Sequence, residues 1–280
     1  MSTKFNKTKK IGFIGVGNMG HAILKALIES QTFAASQIFA TNRSPGKLVR
    51  MQEQYGIGVC KTNEELIEIC DTVILAVKPQ DLAQVLEPIA SSFSREHLVI
   101  SMAAGFSLKT LQKLLPEVAG LVRVMPNTPS IIRKAVVGYC LGKKAIPYES
   151  QVIEIFKPLG VLVPVQEGES FEALTVACGS GTGFVLELMQ YWQEWLEEHH
   201  FDAPLAREMV VETFLGAALM AEKTPETSLN DLQEKVVSKK GVTFAGLQSM
   251  RELEIERALR YSFEKAVLRD QEIARTTEQQ

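Results

Sequence analysis

Histidine and cysteine number four each in 280 residues, and their placement rules out much of the chemistry they usually carry. Cys60, Cys70, Cys140 and Cys178 form no C-x-x-C pair and no metal-like spacing, so no metal is expected. They read as small buried residues in a reducing cytoplasm. His21, His97, His199 and His200 do not fall at the ends of expected strands beside an acidic partner. His199 and His200 close a helical segment, where positive charge suits the helix dipole. Lysine is absent from 158 to 222, which argues against a lysine on the first long helix acting as a proton donor. The longest nearly uncharged helical run, residues 209–221 with only Glu212 inside, is too short to span a bilayer. Charge excess is lacking too. A net charge of −3 gives no reason to expect nucleic acid or an anionic membrane as partner. The basic start (Lys4, Lys7, Lys9, Lys10) lacks the apolar stretch of a signal peptide, so the protein is expected in the cytoplasm.

What is present begins at once. Ile11-Gly12-Phe13-Ile14 is an apolar run of strand type, Gly15-Val16-Gly17-Asn18-Met19-Gly20 is a glycine turn, and residues 21–28 have helical spacing. Strand, glycine turn and helix in that order give a G-x-G-x-x-G match its meaning. Gly15 permits the tight turn, Gly17 lets a pyrophosphate approach the backbone, and Gly20 lets helix and strand pack closely. The helix start offers unpaired N–H groups to the phosphates. An NAD site places Asp or Glu roughly twenty residues further on to hold the ribose 2′-hydroxyl, whereas Arg suits a 2′-phosphate. Here no carboxylate stands between Ile38 and Lys47. Arg43 can grip a phosphate bidentately, Asn42 and Ser44 add donors, and Lys47 adds charge. NADP(H) is therefore expected over NAD(H), which stays the lesser alternative; the plain alternative for Arg43 is an ordinary solvated residue after a strand.

From Ile11 to about Val165 strand-like and helix-like segments alternate, with β-branched runs at 73–77, 98–101, 121–124, 135–139 and 161–165. Apolar strands separated by helices predict a mostly parallel sheet with helices on both faces, an α/β Rossmann domain over 1–167. After Glu167 only helical segments follow, at 171–198, 204–223, 229–237 and 252–274, so 168–280 is expected as an all-α domain. Residues 184–196 carry Leu186, Leu188, Met189, Tyr191, Trp192 and Trp195, and 209–221 is apolar around most of its circumference. Helices of that kind must be buried, and a subunit interface is the expected cover, with an intrachain helical core as the alternative.

The strand ends point to the site. Ala76-Val77-Lys78-Pro79, Ala103-Ala104-Gly105 and Met125-Pro126-Asn127 bring small residues and prolines that leave room for a flat ring and fix the turns. Asn63 reads as a helix cap that could also reach the adenosine ribose. In the helical half the polar, glycine-bearing interruption is Ser238-Lys239-Lys240-Gly241-Val242-Thr243. Backbone amides near Gly241, Val242 and Thr243 would form an anion site at the next helix start, suited to a substrate carboxylate, with the Thr243 hydroxyl free for a ring nitrogen. An ordinary interhelix turn capped by Thr243 satisfies the same residues. The scarcity of acid–base groups suits hydride addition to an already cationic carbon, such as that of an iminium.

These segments together resemble pyrroline-5-carboxylate reductase. The resemblance is carried by residues 12–19, Ala76-Val77-Lys78-Pro79, Ser101-Met102-Ala103-Ala104-Gly105, Val124-Met125-Pro126-Asn127-Thr128-Pro129, Gly179-Ser180-Gly181 and the stretch 238–247. It implies NAD(P)H-dependent reduction of 1-pyrroline-5-carboxylate to L-proline, the last step of proline biosynthesis. It also implies a homodimer through the C-terminal helices, with dimers often forming decamers. By position it implies that Thr243 hydrogen-bonds the substrate nitrogen, that Ser238, Gly241 and Val242 hold the carboxylate, and that Glu167 lines the proline site. Ile14, Gly15, Val16, Gly17, Asn18 and Met19 fall on the dinucleotide turn, and Asn42, Arg43 and Ser44 on the 2′-phosphate. Asn63 falls on the adenosine; Ala76, Val77, Lys78, Pro79, Ala103, Ala104, Pro126 and Asn127 fall toward the nicotinamide. The chain departs from the family pattern at Lys240, where a glycine usually stands. If that position needs positive φ, lysine there costs about 1 kcal/mol. Rival readings are a related NADP-dependent imine oxidoreductase, a 3-hydroxyacid oxidoreductase, disfavoured because Phe184-Val185-Leu186 stands where a lysine would be needed, and a noncatalytic NADP(H)-binding regulator.

Overall fold

The structure, a computed structural model, describes residues 9–278. Strands β1 (Ile11–Ile14), β2 (Ile38–Thr41), β3 (Gly58–Val59), β4 (Thr72–Leu75), β5 (Leu98–Ser101), β6 (Gly120–Met125), β7 (Ala135–Leu141) and β8 (Gly160–Pro164) form one sheet ordered β3-β2-β1-β4-β5-β6-β7-β8. Every neighbouring pair is parallel except β6 with β7. The chain leaves β1 for β2 on one side and returns to β4 on the other. Such a reversal of strand order opens a crevice beyond the carboxyl ends of the strands, where ligands of these sheets bind. Register makes that edge sharp: Ile14 pairs with both Thr41 and Leu75, and Leu75 with Ser101. Gly15, Asn42, Ala76 and Met102 therefore leave the sheet side by side. The expected strand at 73–77 stops at Leu75, because Ala76 and Val77 already cross toward the next helix.

Helices α1 (Asn18–Glu29), α2 (Pro45–Tyr55), α3 (Asn63–Ile69), α4 (Pro79–Leu86), α5 (Leu108–Leu114) and α6 (Glu149–Phe156) cover the two faces. Alternation along the strands sorts the core. Phe13, Ile74, Ile100 and Val122 pack with Ile23, Leu24 and Leu27 of α1 on one face. Val73, Leu75, Val99 and Leu121 pack with Leu66, Leu82 and Leu111 on the other. Each such fully buried side chain contributes roughly 1.5–3 kcal/mol, which is why the strands read as continuous apolar runs.

The helical half contains α7 (Glu169–Leu174), α8 (Gly181–Glu198), α9 (Ala203–Lys223), α10 (Leu229–Val236), α11 (Val242–Glu252) and α12 (Ile255–Glu278). The long helix expected from 171 to 198 is interrupted. Thr175–Ser180 forms a π-helical turn, and Gly179 there lies against Met125 at the end of β6, so that even a methyl group would sit 3.4 Å from its Cγ. The chain divides into two compact units: residues up to Ser180 together with those from Ala266 onward, and Gly181–Lys265. Thus α12 shares its length between the two. The expected α/β first half and all-helical second half are the architecture observed.

Candidate active site: a nucleotide edge and an amide-lined turn

Gly15 sits at φ +86°, and its N–H donates to the Thr41 carbonyl at 2.9 Å. A Cβ there would stand 2.8 Å from the Val77 side chain. At Gly20 a Cβ would meet Ala76 and the Gly15 carbonyl at 3.1 Å, so helix and strand approach as the fingerprint requires. Gly17 differs. It is exposed, caps α1 without a side-chain bond, and has open space where a Cβ would point. The amides of the first turn, from Asn18 and Met19 on, lack intrahelical acceptors and carry the positive end of the dipole. Ile14 and Val16 are buried beneath them. A pyrophosphate fits this cradle.

Asn42 braces the cradle instead of standing open. Its Oδ1 accepts from Val16 N at 3.2 Å, and its Nδ2 donates to the Ser44 carbonyl at 3.3 Å. Arg43 and Ser44 are exposed and line a hollow together with Lys47, Arg50, Gln54 and His21. The hollow has no carboxylate in its lining. Pro45 opens α2, the helix that carries Lys47 and Arg50. Sequence reasoning found Arg43, Ser44 and Lys47 but missed Arg50, one turn after Lys47 on α2, and His21, which α1 brings beside Tyr55 of α2.

Asn63 requires a correction. The cap of α3 is Thr62, whose hydroxyl accepts from Glu65 N at 3.2 Å, and Asn63 is the first helical residue. Its Oδ1 instead accepts a 2.7 Å bond from the Thr41 hydroxyl at the tip of β2, which places it on the nucleotide edge. Lys78 is exposed at the start of α4, followed by Pro79, while Ala76 and Val77 are half-buried. Ala103 is buried and Ala104 half-buried before Gly105, which takes φ +74° beneath Ile273 and Ala274 of α12. Pro126 and Asn127 are buried, and the Asn127 carboxamide is fully engaged. It accepts from Val136 N at 3.0 Å and donates to the Cys178 carbonyl at 3.1 Å, tying the β6 end to the π-helical turn.

Glu167 is held by neighbours within the chain. It follows β8, which runs opposite to β6. Its carboxylate pairs with the guanidinium of buried Arg123 and accepts from Leu108 N at 3.2 Å. Arg123 in turn lies 4.0 Å over the Phe171 ring. The carboxylate thus has partners within the chain, from β6 and from the start of α5. Burial, with Glu167 adding to it, pushes the neighbouring Cys140 thiol up from its usual range. Burial likewise raises Asp270.

In the second unit, the turn before α11 is tight. Gly241 N donates to the Ser238 carbonyl at 2.9 Å, and any side chain on Gly241 would collide with the Ser238 hydroxyl. Gly241 itself is the cap of α11, without a side-chain bond. The alternative of a Thr243 cap therefore falls: Thr243 lies inside the first turn, exposed beside exposed Val242. The amides of Val242, Thr243 and Phe244 precede the first intrahelical bond, which Ala245 N makes to Gly241 O at 3.1 Å. Lys240 does adopt φ +58°, in the left-handed region. The arrangement presents amides, a hydroxyl and a positive dipole end to an anion.

Two family descriptions match separate parts of the chain. "NADP oxidoreductase coenzyme F420-dependent" matches residues 10–105, and "Pyrroline-5-carboxylate reductase dimerisation" matches 168–273. The pyrroline-5-carboxylate reductase of Methanosarcina acetivorans is 34% identical over 267 residues, 95% of this chain and 97% of that protein. A solved pyrroline-5-carboxylate reductase from Coxiella burnetii superposes with a TM-score of 0.88 at 30% identity, covering 95% of this chain and 99% of that one. The Plasmodium falciparum pyrroline carboxylate reductase, crystallised with NADP bound, shares the fold at 23% identity, with a TM-score of 0.83 over 96% of this chain and 100% of its own.

Proposed function

The chain belongs to the pyrroline-5-carboxylate reductase family, and on that footing we propose which of its residues perform the reaction. The protein is an NADP-dependent oxidoreductase that reduces 1-pyrroline-5-carboxylate to proline. The coenzyme, when bound, supplies a hydride equivalent; the imine carbon accepts it and the ring nitrogen keeps a proton, so C=N becomes CH–NH.

The chain's own part is holding and orienting. Gly15, Gly17 and the first amides of α1 hold the pyrophosphate, Arg43, Ser44 and Lys47 grip the 2′-phosphate, and Asn42 keeps the two turns in register. Val77, Ala104 and Pro126 wall the nicotinamide side, braced by Asn127 from behind. The amides at Gly241, Val242 and Thr243 hold the substrate carboxylate, with Ser238 filling the turn beneath them. The Thr243 hydroxyl takes the ring nitrogen and fixes the face on which hydride arrives. Orientation of this kind can supply about 7–11 kcal/mol of barrier lowering, which suits a site poor in acid–base groups. Glu167 acts one step away by holding Arg123. Functionally the chain divides at 167/168, the first part for the coenzyme and the second for substrate and assembly.

Oligomerisation follows from the dimerisation family match. We take the assembly to be a homodimer through the C-terminal helices, built into decamers, and its compartment to be the cytoplasm. Among the described residues no helix is long and apolar enough to cross a membrane.

The observation that carries the assignment of the substrate turn is the uncapped start of α11 with Thr243 exposed in its first turn. Its test is NADPH consumption with pyrroline-5-carboxylate. Thr243→Ala should lower kcat about 10- to 100-fold, as expected for one lost hydrogen bond to a charged group of about 1.5–3 kcal/mol, with NADPH affinity unchanged. Equal turnover would remove Thr243 from the reaction.

A further inference from the structure

The hollow beside Arg43 contains a titratable group that the coenzyme assignment leaves unused. His21 lies in the first turn of α1, immediately after Gly20, and contributes to the lining with Arg43, Lys47 and Arg50. Its Nε2 stands 2.9 Å from the Tyr55 hydroxyl of α2, with ring centroids 5.7 Å apart. Tyr55 is a neutral partner. It accepts from Nε2–H when the ring is charged and donates to Nε2 in one neutral tautomer, so it anchors the ring without fixing its charge. A carboxylate in that place would keep the ring charged throughout the physiological range.

Among the described residues, Lys47 on α2 and Lys25 on its own helix, the latter paired with Glu29, act on His21, and Arg43 and Arg50 share its hollow. Burial first, then Lys47 and Lys25, holds the imidazole below its usual range, which favours the neutral ring before a ligand arrives. A phosphate entering the hollow brings close to two negative charges, and an opposite charge within about 4–6 Å favours the protonated ring.

We propose that His21 takes up a proton from solvent as the adenosine 2′-phosphate binds, and so acts as a specificity-determining residue that strengthens NADP(H) relative to NAD(H) as pH falls. The bound state then has one more N–H⁺ facing the phosphate, and the proton returns to solvent when the coenzyme leaves. The inference rests on the reading of this hollow as the 2′-phosphate site.

The direct measurement is imidazole NMR on the wild-type protein, which has only four histidines to resolve. Adding 2′,5′-ADP should raise the His21 pKa by about one unit or more, whereas 5′-AMP should leave it in place. Calorimetry supplies the second arm, with NADP⁺ and NAD⁺ titrated into wild type and His21→Gln at pH 8 and pH 6. The phosphate's own second proton, with a pKa of about 6, titrates in both proteins, so only their difference reads His21. Wild type should gain about 3- to 10-fold more NADP⁺ affinity on acidification than the variant, with proton uptake that the variant lacks and with NAD⁺ affinity equal in both. If 2′,5′-ADP binds while His21 keeps its pKa, the inference is overturned and the phosphate assignment stands. If 2′,5′-ADP binds no better than 5′-AMP, the phosphate assignment falls and takes the inference with it. Should His21→Gln fail to fold, the wild-type NMR arm decides alone.

Discussion

Arg43 shows how much one side chain can settle. It stands at the end of β2, where a carboxylate would hold a ribose hydroxyl, and it shares its hollow with Lys47 and Arg50. Arg43→Glu removes a charge-assisted contact and places a negative charge beside the phosphate. We expect the NADPH KM to rise about 10- to 100-fold while the NADH KM changes little, given about 1.5–3 kcal/mol for a hydrogen bond to a charged group. An unchanged preference would remove Arg43 from the phosphate site. Asn42 and Asn127, both expected to face the coenzyme, spend their carboxamides on backbone groups of neighbouring turns. Residue type gave their location at the strand ends but not their direction. An amide that braces a loop and one that meets a ligand look identical in a sequence.

Among the elements, the first turn of α1 and the start of α11 are alike, each beginning at a glycine without a side-chain cap, and each is proposed to meet an anion. The second of these has a strained residue just before it. Lys240 at φ +58° forgoes the ease with which glycine takes that conformation. Lys240→Gly should stabilise the protein by about 0.5–1 kcal/mol, seen in calorimetry as a Tm rise of about 1–4 °C. A fall in Tm would mean that the lysine side chain stabilises the turn by more than its backbone costs. Strands β1, β4 and β5 were legible because burial on both faces leaves a continuous apolar run. The cap of α3 was read one residue late, since Thr62 and Asn63 are both good capping types. The π-helical turn at Thr175–Ser180 leaves no readable period over six residues, so the sequence showed one long helix there.

For the whole molecule the telling fact is how little of α8 and α9 is covered within one chain. Trp192 and Trp195 are 51% and 55% exposed, Leu215 47% and Met220 51%, while α8 has no buried residue and α9 only Ala206 and Val210. Within the unit Trp192 does meet Phe214 edge to face at 4.6 Å, so the helices pair but leave an outer apolar face. Open apolar surface of that kind suits the interface proposed above, and the dimerisation match spans both helices. Leu215→Glu should weaken the dimer at least about tenfold in analytical ultracentrifugation, because an unpaired charge in a dry interface costs several kcal/mol. The Gly181–Lys265 helices should then lose thermal stability sooner than the sheet. A dimer of wild-type strength would place the interface elsewhere.

Local rules were enough for part of this protein. Glycine positions, the missing carboxylate after β2 and apolar periodicity pointed to the fold class and the coenzyme, and the residues at 238–243 marked the turn proposed for the substrate, since each depends on what a residue type can do with its own backbone or its near neighbours. Tertiary structure alone decided the rest: that Glu167 pairs with Arg123, that His21 joins Arg43 and Lys47 around one hollow, and that Thr62 rather than Asn63 caps α3. The first two join residues from different elements, and their geometry is set by how helices settle on the sheet, a consequence of packing that no short stretch of chain encodes. The third turns on a single residue of register, which the packing of α3 against the sheet settles.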